Sequence, residues 1–483
     1  MKLQIMWAAF ECVPFMKTGG LGDVAGSLPA AIRKASAADV RVFLPKTSLI
    51  PQEYADKMKF ISSFYVPLSW RWEYCGIFKL RKDGIVYYFL DNERYFFRDR
   101  LYGEFDDAER TAFFSKAVLE ACLHIEDLAP DLIHVHDWHT ALLPVFLREF
   151  YMQTKLSKAK TVFTIHNLKF QGIFDGSVIG DICGFYGSAA EEALRWDRAC
   201  NYMKAGCIYA DKITTVSPSY AREICGADHG EGLDWLFERR QQDLSGILNG
   251  IDYKIWNPYT DVYLKTDAAD GEIYYSTYRK NSPAKKRLNK AALQKELGLA
   301  VDKDALLCVI ISRLTDQKGL DLLEGCLQFI ADSPMQLAVL GVGDERYEQA
   351  FGDCARLYPD KIAVRLAFDN ELSHKMYAGA DLILVPSRFE PCGLTQMIAM
   401  RYGTVPLVRQ TGGLKDTVNE GNGFTFASCS KEALKDAIVL ALKTWQEDKK
   451  TWQDKIKTGM DSDFSWTAPA GEYIHLYEEL AGR

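Results

Sequence analysis

LQIMWAAFECVPFMKTGGLGDVAGSLPAAIRKA, Leu3–Ala35, is the stretch on which the reading of the fold turns. LQIMWAAF is an apolar run of strand length, and DVAGSLPAAIRKA has the pattern of a helix. Between them stands a glycine-rich connection, Lys17-Thr-Gly-Gly. Glycine pairs occur where a backbone turns tightly or approaches a ligand closely. Strand, glycine loop and helix in that order form the opening unit of a doubly wound α/β domain. The phrase Thr-Gly-Gly-Leu-x-Asp of Thr18–Asp23 returns at Thr411–Asp416. The two copies are either unrelated turns or two walls of one site.

Working outward, VRVFLP, GIVYYFL, DLIHVH, KTVFTIHN and KITTVS are further short apolar runs in the first half. The second half repeats the style. ALLCVIISRL is followed by a helical LDLLEGCLQFIAD, and MQLAVLGVG by a helical ERYEQAFGDCARL. IAVRLAF, ADLILVPS and TVPLVR follow. Continuous Val/Ile/Leu strands alternating with helices indicate parallel sheets covered on both faces. A chain of 483 residues is too long for one core, so two such domains are expected. The join is expected near ILNGIDYKIWNP, Ile247–Pro258, which is rich in turn formers. The polar segment Lys265–Asn289 reads as a loop.

Composition excludes several classes. A net charge of −7 is mild and does not suit a nucleic-acid surface built on bulk charge. The twelve cysteines are scattered, with no C-x-x-C pair, and read as reduced thiols of a cytoplasmic protein. The N-terminal apolar run is interrupted by Glu11 and is too short to span a membrane; a buried strand fits it better than a signal peptide. No P-loop and no G-x-S-x-G elbow is present. Gly341-Val342-Gly343 follows a strand, but Arg346 stands where a dinucleotide fingerprint needs glycine.

Ligands of open parallel sheets bind beyond the carboxyl ends of the strands. Lys17 precedes the first glycine pair and a helix start, a geometry that offers an ammonium and N–H groups to a phosphate. SRLTDQKG, Ser312–Gly319, places Arg313 and Lys318 after a strand. SRFEPCGLTQ, Ser387–Gln396, places Glu390 at a strand end, Pro391 in a first helical turn, and the amides of Gly393, Leu394 and Thr395 at a helix start. Each alone reads equally as a capped helix or a solvated charge. Together the cations suit a diphosphate leaving group. HVHDWH, His134–His139, invites a zinc reading, but Asp137 sits one place too early for the H-x-H-x-D-H order. A sugar-binding wall or a structural strand end are the other readings. His166, in TIHN, ends the next strand.

KTGGLGDV, HVHDWH, TIHN, ILNGIDYKIWNP, SRLTDQKGLDLL, SRFEPCGLTQ and QTGGLKDTV, in this order, resemble the bacterial glycogen synthase and plant starch synthase family. The resemblance runs to the closing DFSWTAPAGEYIHLYEEL. It implies the GT-B fold, an α/β architecture of two Rossmann-like, doubly wound parallel-sheet domains facing a deep cleft. The implied bounds are 1–248 for the first domain, completed by a crossover helix in 464–483, and 249–463 for the second, nucleotide-sugar-binding domain. The implied activity is retaining transfer of glucose from a nucleotide sugar, ADP-glucose in the bacterial branch, to the non-reducing 4-OH of an α-1,4-glucan. No cofactor, nucleic acid or membrane is expected, and no metal either, because no D-x-D motif stands at a strand end and Lys17, Arg313 and Lys318 supply positive charge for a diphosphate.

By the same resemblance, Lys17 holds the donor phosphates, and Arg313 and Lys318 neutralise the leaving diphosphate. Glu390 supports the transition state at the glucosyl ring, and His166 with Asp137 lines the glucose pocket. Gly20, Leu394 and Thr395 add backbone or hydroxyl contacts. Phe368 stands where relatives stack an aromatic, often Tyr, on the base. Gly19, Asp23, His139, Asn167, Asn249, Cys392 and Gly393 complete the implied binding set. Many retaining transferases carry a second Glu eight residues after the first; Ile398 stands there, as in the bacterial synthase branch. The competing readings are a nucleotide-sugar epimerase or another GT-B glycosyltransferase, a pyridoxal-dependent phosphorylase, which is usually longer, and a non-catalytic sugar-nucleotide sensor.

Overall fold

The structure, a computed structural model, describes residues 2–265 and 274–482. The chain forms two compact units, Met1–Gly250 with Trp466–Arg483, and Ile251–Ser465.

The first unit is built on a nine-stranded sheet. Its strands are β1 (Gln4–Ala8), β2 (Asp39–Pro45), β3 (Lys59–Leu68), β4 (Arg71–Lys82), β5 (Ile85–Asp91), β6 (Leu132–His136), β7 (Lys160–Ile165), β11 (Lys212–Thr215) and β12 (Leu244–Gly246). The spatial order is β12-β11-β7-β6-β1-β2-β5-β4-β3. Strands β12 to β5 run parallel, and the β3–β4 hairpin closes one edge antiparallel. Strand β8 (Ile173–Asp175), β9 (Arg195–Trp196) and β10 (Ala199–Asn201) make a small antiparallel sheet.

The unbroken apolar run of β1 has a simple cause. Successive side chains of a strand point to opposite faces, and both faces here are covered. Met6, Ala8 and Phe10 join a core with the helix Asp107–His124 through Phe113, Phe114 and Ala117. Ile5, Trp7 and Ala9 join a core with the helix Gly20–Ser36 through Val24, Leu28 and Ile32. That second core also takes Trp466, Tyr473 and Tyr477, from the C-terminal helix Thr467–Ala481 and the residue before it.

The second unit holds a six-stranded, all-parallel sheet: β13 (Leu306–Ile311), β14 (Met335–Leu340), β15 (Ile362–Arg365), β16 (Leu382–Val385), β17 (Val405–Arg409) and β18 (Phe424–Phe426). Its order is β15-β14-β13-β16-β17-β18. In each sheet the chain winds outward from one strand and then returns to that strand's other side. The reversal falls between β1 and β6 in the first unit and between β13 and β16 in the second. These are the places where loops part and leave a crevice for ligands.

Several expectations need correction. The β3–β4 hairpin and the small sheet were not legible as separate elements. LDLLEGCLQFIAD is two short helices, Leu320–Glu324 and Leu327–Asp332, rather than one. The break falls at Gly325, a weak helix former, where a Cβ would lie 2.2 Å from Cδ of Lys431. The expected loop Lys265–Asn289 runs into the helix Pro283–Leu297; its residues 266–273 lie outside the described residues. Pro391 is not in a helical turn, because that helix begins at Thr395. Asn249 belongs to the first unit: Ile247 just before it donates to Thr215 O at 2.9 Å and lies in that unit's core. Among the described residues no helix is long and apolar enough to cross a membrane.

Candidate active site

In the first unit the loops after β1, β6 and β7 meet at the sheet's switch point. Glu11, one turn beyond β1, organises the first of them. Its carboxylate accepts from the Thr18 and Gly19 amides at 2.6 and 2.9 Å, from Thr18 Oγ1 at 2.7 Å and from the Tyr102 hydroxyl at 2.8 Å. A buried carboxylate needs such donors to remain tolerable. The lysine–glycine loop is thus folded around an internal anion. Lys17 pairs with Asp23 at 2.6 Å and keeps about a third of its side chain exposed, at 35%. Burial raises the Asp23 carboxyl above its ordinary range, and the Lys17 ammonium acts against that rise. The helix Gly20–Ser36 begins at this loop, and no side chain caps its first turn.

His136 and Asp137 stand at the end of β6. His136 stacks on Trp7 at 4.3 Å, and its Nδ1 lies 3.0 Å from Nε2 of His166. Asp137 has φ +55°, a conformation costly for any residue with a side chain. Its Oδ1 accepts from the amides of His166 and Asn167 at 2.7 and 3.4 Å, tying the β6 loop to the β7 loop. Burial pushes its carboxyl up to about 7 against the pull of those two amides. Burial also pushes His166 down to about 3, and His134, His136 and His139 well below 6.5. These rings are neutral at pH 7. They are suited to neutral hydroxyls more than to anions.

The four imidazoles and Asp137 do not converge on a point. His134 spends Nδ1 on the Tyr477 hydroxyl at 2.7 Å and Nε2 on Thr164 Oγ1 at 2.6 Å. His139 lies on the other side, stacked on Tyr102 at 4.3 Å and near Phe10 at 5.5 Å. Among the described residues no group of three His, Cys, Asp or Glu is placed to hold a metal ion. Buried nitrogens without a partner remain at His136 Nε2 and His139 Nδ1, and Asn249 Oδ1 is likewise buried and unpaired. Buried polar atoms of this kind are uncommon and mark places where a ligand can supply the partner.

In the second unit the loops after β13 and β16 flank the switch point. Glu390 is buried, and its Oε2 accepts from Lys318 Nζ at 2.6 Å and Ser387 Oγ at 2.8 Å. The two motifs singled out in the sequence, 72 residues apart, therefore meet through one ion pair. Arg313 is exposed at the end of β13, and no side-chain hydrogen bond or ion pair holds it among the described residues. Cys392 is buried, Gly393 has φ +74°, and the helix Thr395–Arg401 begins beside them with no side-chain cap at Leu394. Phe368 is 85% exposed just before the helix Asn370–Gly379. Gly341 and Gly343 are packing glycines: a Cβ would lie 1.8 Å from Ser312 O at the one and 2.2 Å from Leu314 O at the other.

Residues 4–239 match the family described as "Starch synthase catalytic domain", and residues 291–458 match "Glycosyl transferases group 1". A glycogen synthase of Clostridium novyi is 44% identical over 487 residues, 99% of each chain. One from Anoxybacillus flavithermus is 46% identical over 489 residues, 99% of this chain and 98% of the relative. The chain belongs to the glycogen and starch synthase family. As a member it is a glycosyltransferase. The solved catalytic domain of Starch Synthase IV from Arabidopsis thaliana, bound to ADP and acarbose, superposes with a TM-score of 0.91 at 32% identity, covering 100% of each chain. Sucrose-phosphate synthase from Thermosynechococcus elongatus, at 19% identity and TM-score 0.58 over 100% of each chain, shares the fold. That fold is GT-B, and the two doubly wound units are its two Rossmann-like halves.

Sequence reasoning missed Glu11 and Ser387 as parts of these sites. Glu11 left one signal, a carboxylate directly after a buried apolar run.

Proposed function

We propose that the chain transfers glucose from ADP-glucose to the non-reducing 4-OH of an α-1,4-glucan, with retention at the anomeric carbon. The observation that carries this reading is the buried Glu390 carboxylate held by Lys318 and Ser387 at the switch point of the second sheet. Glycogen synthases 44% and 46% identical to it, and a starch synthase solved with ADP, support it.

In this reading Lys318 serves two partners. Its ammonium has three donors, one of which is spent on Glu390, and the others suit diphosphate oxygens. Arg313 is free to fork onto the same group. Glu390 then provides fixed negative charge where the glucosyl ring gains positive character, a preorganised field that needs no rearrangement. Lys17 and the glycine loop offer an ammonium and amide groups to phosphate. The neutral imidazole of His166, set by Asp137, offers hydrogen bonds to a sugar hydroxyl. Phe368 gives an exposed ring for the base. The cations offset the diphosphate charge that a divalent metal offsets elsewhere, so we infer a metal-free and cofactor-free reaction. We also infer a cytoplasmic protein, supported by twelve free thiols.

The test is elongation of glycogen with ADP-glucose and UDP-glucose side by side, before and after chelation. The expected result is incorporation that favours ADP-glucose and survives chelation. No incorporation from either donor would refute the activity. Preference for UDP-glucose would correct the donor, and activity restored only by one specific ion would overturn the metal-free reading.

A further inference from the structure

The two Thr-Gly-Gly-Leu phrases need their glycines for opposite reasons. At Gly19 and Gly20 an added Cβ would meet nothing within 4 Å. Their own unit leaves that space open. At Gly412 a Cβ would lie 1.9 Å from the carbonyl oxygen of Glu390, and φ is +46°. At Gly413 a Cβ would lie 2.2 Å from the carbonyl oxygen of Cys392 and 2.5 Å from its Cα. The second pair is filled by the protein itself, and what fills it is the loop that carries Glu390.

That contact is part of a closed ring of bonds. The Gly413 amide donates to Glu390 O at 3.1 Å. Thr417, at the end of the same short helix, donates from Oγ1 to Gly413 O at 2.6 Å. The same Oγ1 accepts from Gln396 Nε2 at 3.0 Å. Gln396 Nε2 also reaches Gly393 O at 2.6 Å and Cys392 O at 3.2 Å. Leu414 is fully buried, and its Cδ2 is 3.1 Å from where Gly393 would carry a Cβ. Glu390, Cys392 and Gly393 are therefore gripped through their backbone from two sides. One grip is the glycine turn, and the other is Gln396.

We propose that Gly412, Gly413, Thr417 and Gln396 are positioning residues for the transfer reaction: they fix the backbone from which the Glu390 carboxylate projects, and they take no ligand themselves. The inference rests on the role given to Glu390 above. A catalytic group held loosely loses much of its effect, because rate falls steeply with misplacement of reacting groups. Such a loss appears in kcat, whereas a lost ligand contact of uniform strength appears in KM.

The experiment compares Thr417→Val, Thr417→Ser, Gly413→Ala and Glu390→Gln in the full chain. It measures kcat and KM with ADP-glucose and glycogen, the Kd of ADP by calorimetry, and the melting temperature. Thr417→Val keeps the shape and removes the Oγ1 bonds to Gly413, Leu414 and Gln396. Its kcat is expected to fall about tenfold, with ADP affinity held within about twofold. Thr417→Ser restores kcat to within about twofold of the unaltered enzyme, because the hydroxyl is restored. Gly413→Ala loses about a hundredfold in kcat; if it does not fold, Thr417→Val still decides. An unaltered kcat in Thr417→Val beside a lost kcat in Glu390→Gln would sink the positioning role and leave the site reading standing. A parallel loss of ADP affinity and kcat in Thr417→Val would make the turn a ligand site and overturn the proposal. Full activity in Glu390→Gln would overturn the site reading, and this inference with it.

Discussion

At Gly20 the chain has room for a methyl group and does not use it. Alanine is the better helix former, by up to about 1 kcal/mol in a helix interior, and Gly20 is the first residue of the helix Gly20–Ser36. Folding alone would favour the substitution, and the role proposed for the loop, admitting a donor closely, gives the glycine a reason. Gly20→Ala is expected to keep or slightly raise the melting temperature while raising the donor KM about tenfold, the scale of one lost close contact. Thermal melts beside initial rates over a range of ADP-glucose check this; an unchanged KM would remove the loop from the donor site. Residues differ in how far a sequence exposes them. Lys318 and Glu390 were legible because each follows an apolar run, and strand ends are where parallel sheets collect chemistry. Glu11 and Gln396 were not, because their work is on backbone groups brought close only by folding. The purpose of Gly413 was hidden for the same reason: a turn that admits a ligand and a turn that admits another loop have the same letters.

Among the elements, buried parallel strands were the easiest to read. A strand covered on both faces loses its polar alternation and shows as a continuous apolar run. The β3–β4 hairpin was harder. Phe64, Val66 and Leu68 are buried, while Tyr65, Trp70, Trp72 and Tyr74 are exposed, so apolar letters do not mark one face there. The C-terminal helix Thr467–Ala481 was placed on the first unit only by family resemblance, since nothing in its spacing names a partner. Its bond from Tyr477 to His134 gives a measurable handle. Tyr477→Phe leaves Nδ1 of a buried imidazole without its partner, a loss of about 1–3 kcal/mol. The expected outcome is a lower urea midpoint at unchanged m-value for the transition of the first unit. An unaltered midpoint would mean that the helix is held by packing alone.

Across the whole molecule, the buried histidines set a response to acid. His166 titrates near 3 in the folded chain against about 6.5 unfolded. Between those values the unfolded chain binds more protons, so stability rises with pH there and is lost as pH falls below about 6.5. His134, His136 and His139 are shifted the same way. Asp137, raised to about 7, acts oppositely, because its contribution falls as pH rises from its unfolded value near 3.8. Four imidazoles against Asp137 and Asp23, whose carboxyl burial also raises, make the histidines win. The melting temperature is expected to drop between pH 7 and 5, and more steeply in Asp137→Asn; a midpoint that holds or climbs on acidification would contradict this balance. The order of the polypeptide has a further consequence. The helix that covers Trp7 and Val24 is translated only after all 215 residues of Ile251–Ser465. At ribosomal rates of about 5–20 residues per second, the nascent first unit waits roughly 10–40 s with an apolar face bare. During synthesis that face is a natural landing place for a chaperone, and a chain cut short before Trp466 would keep it bare.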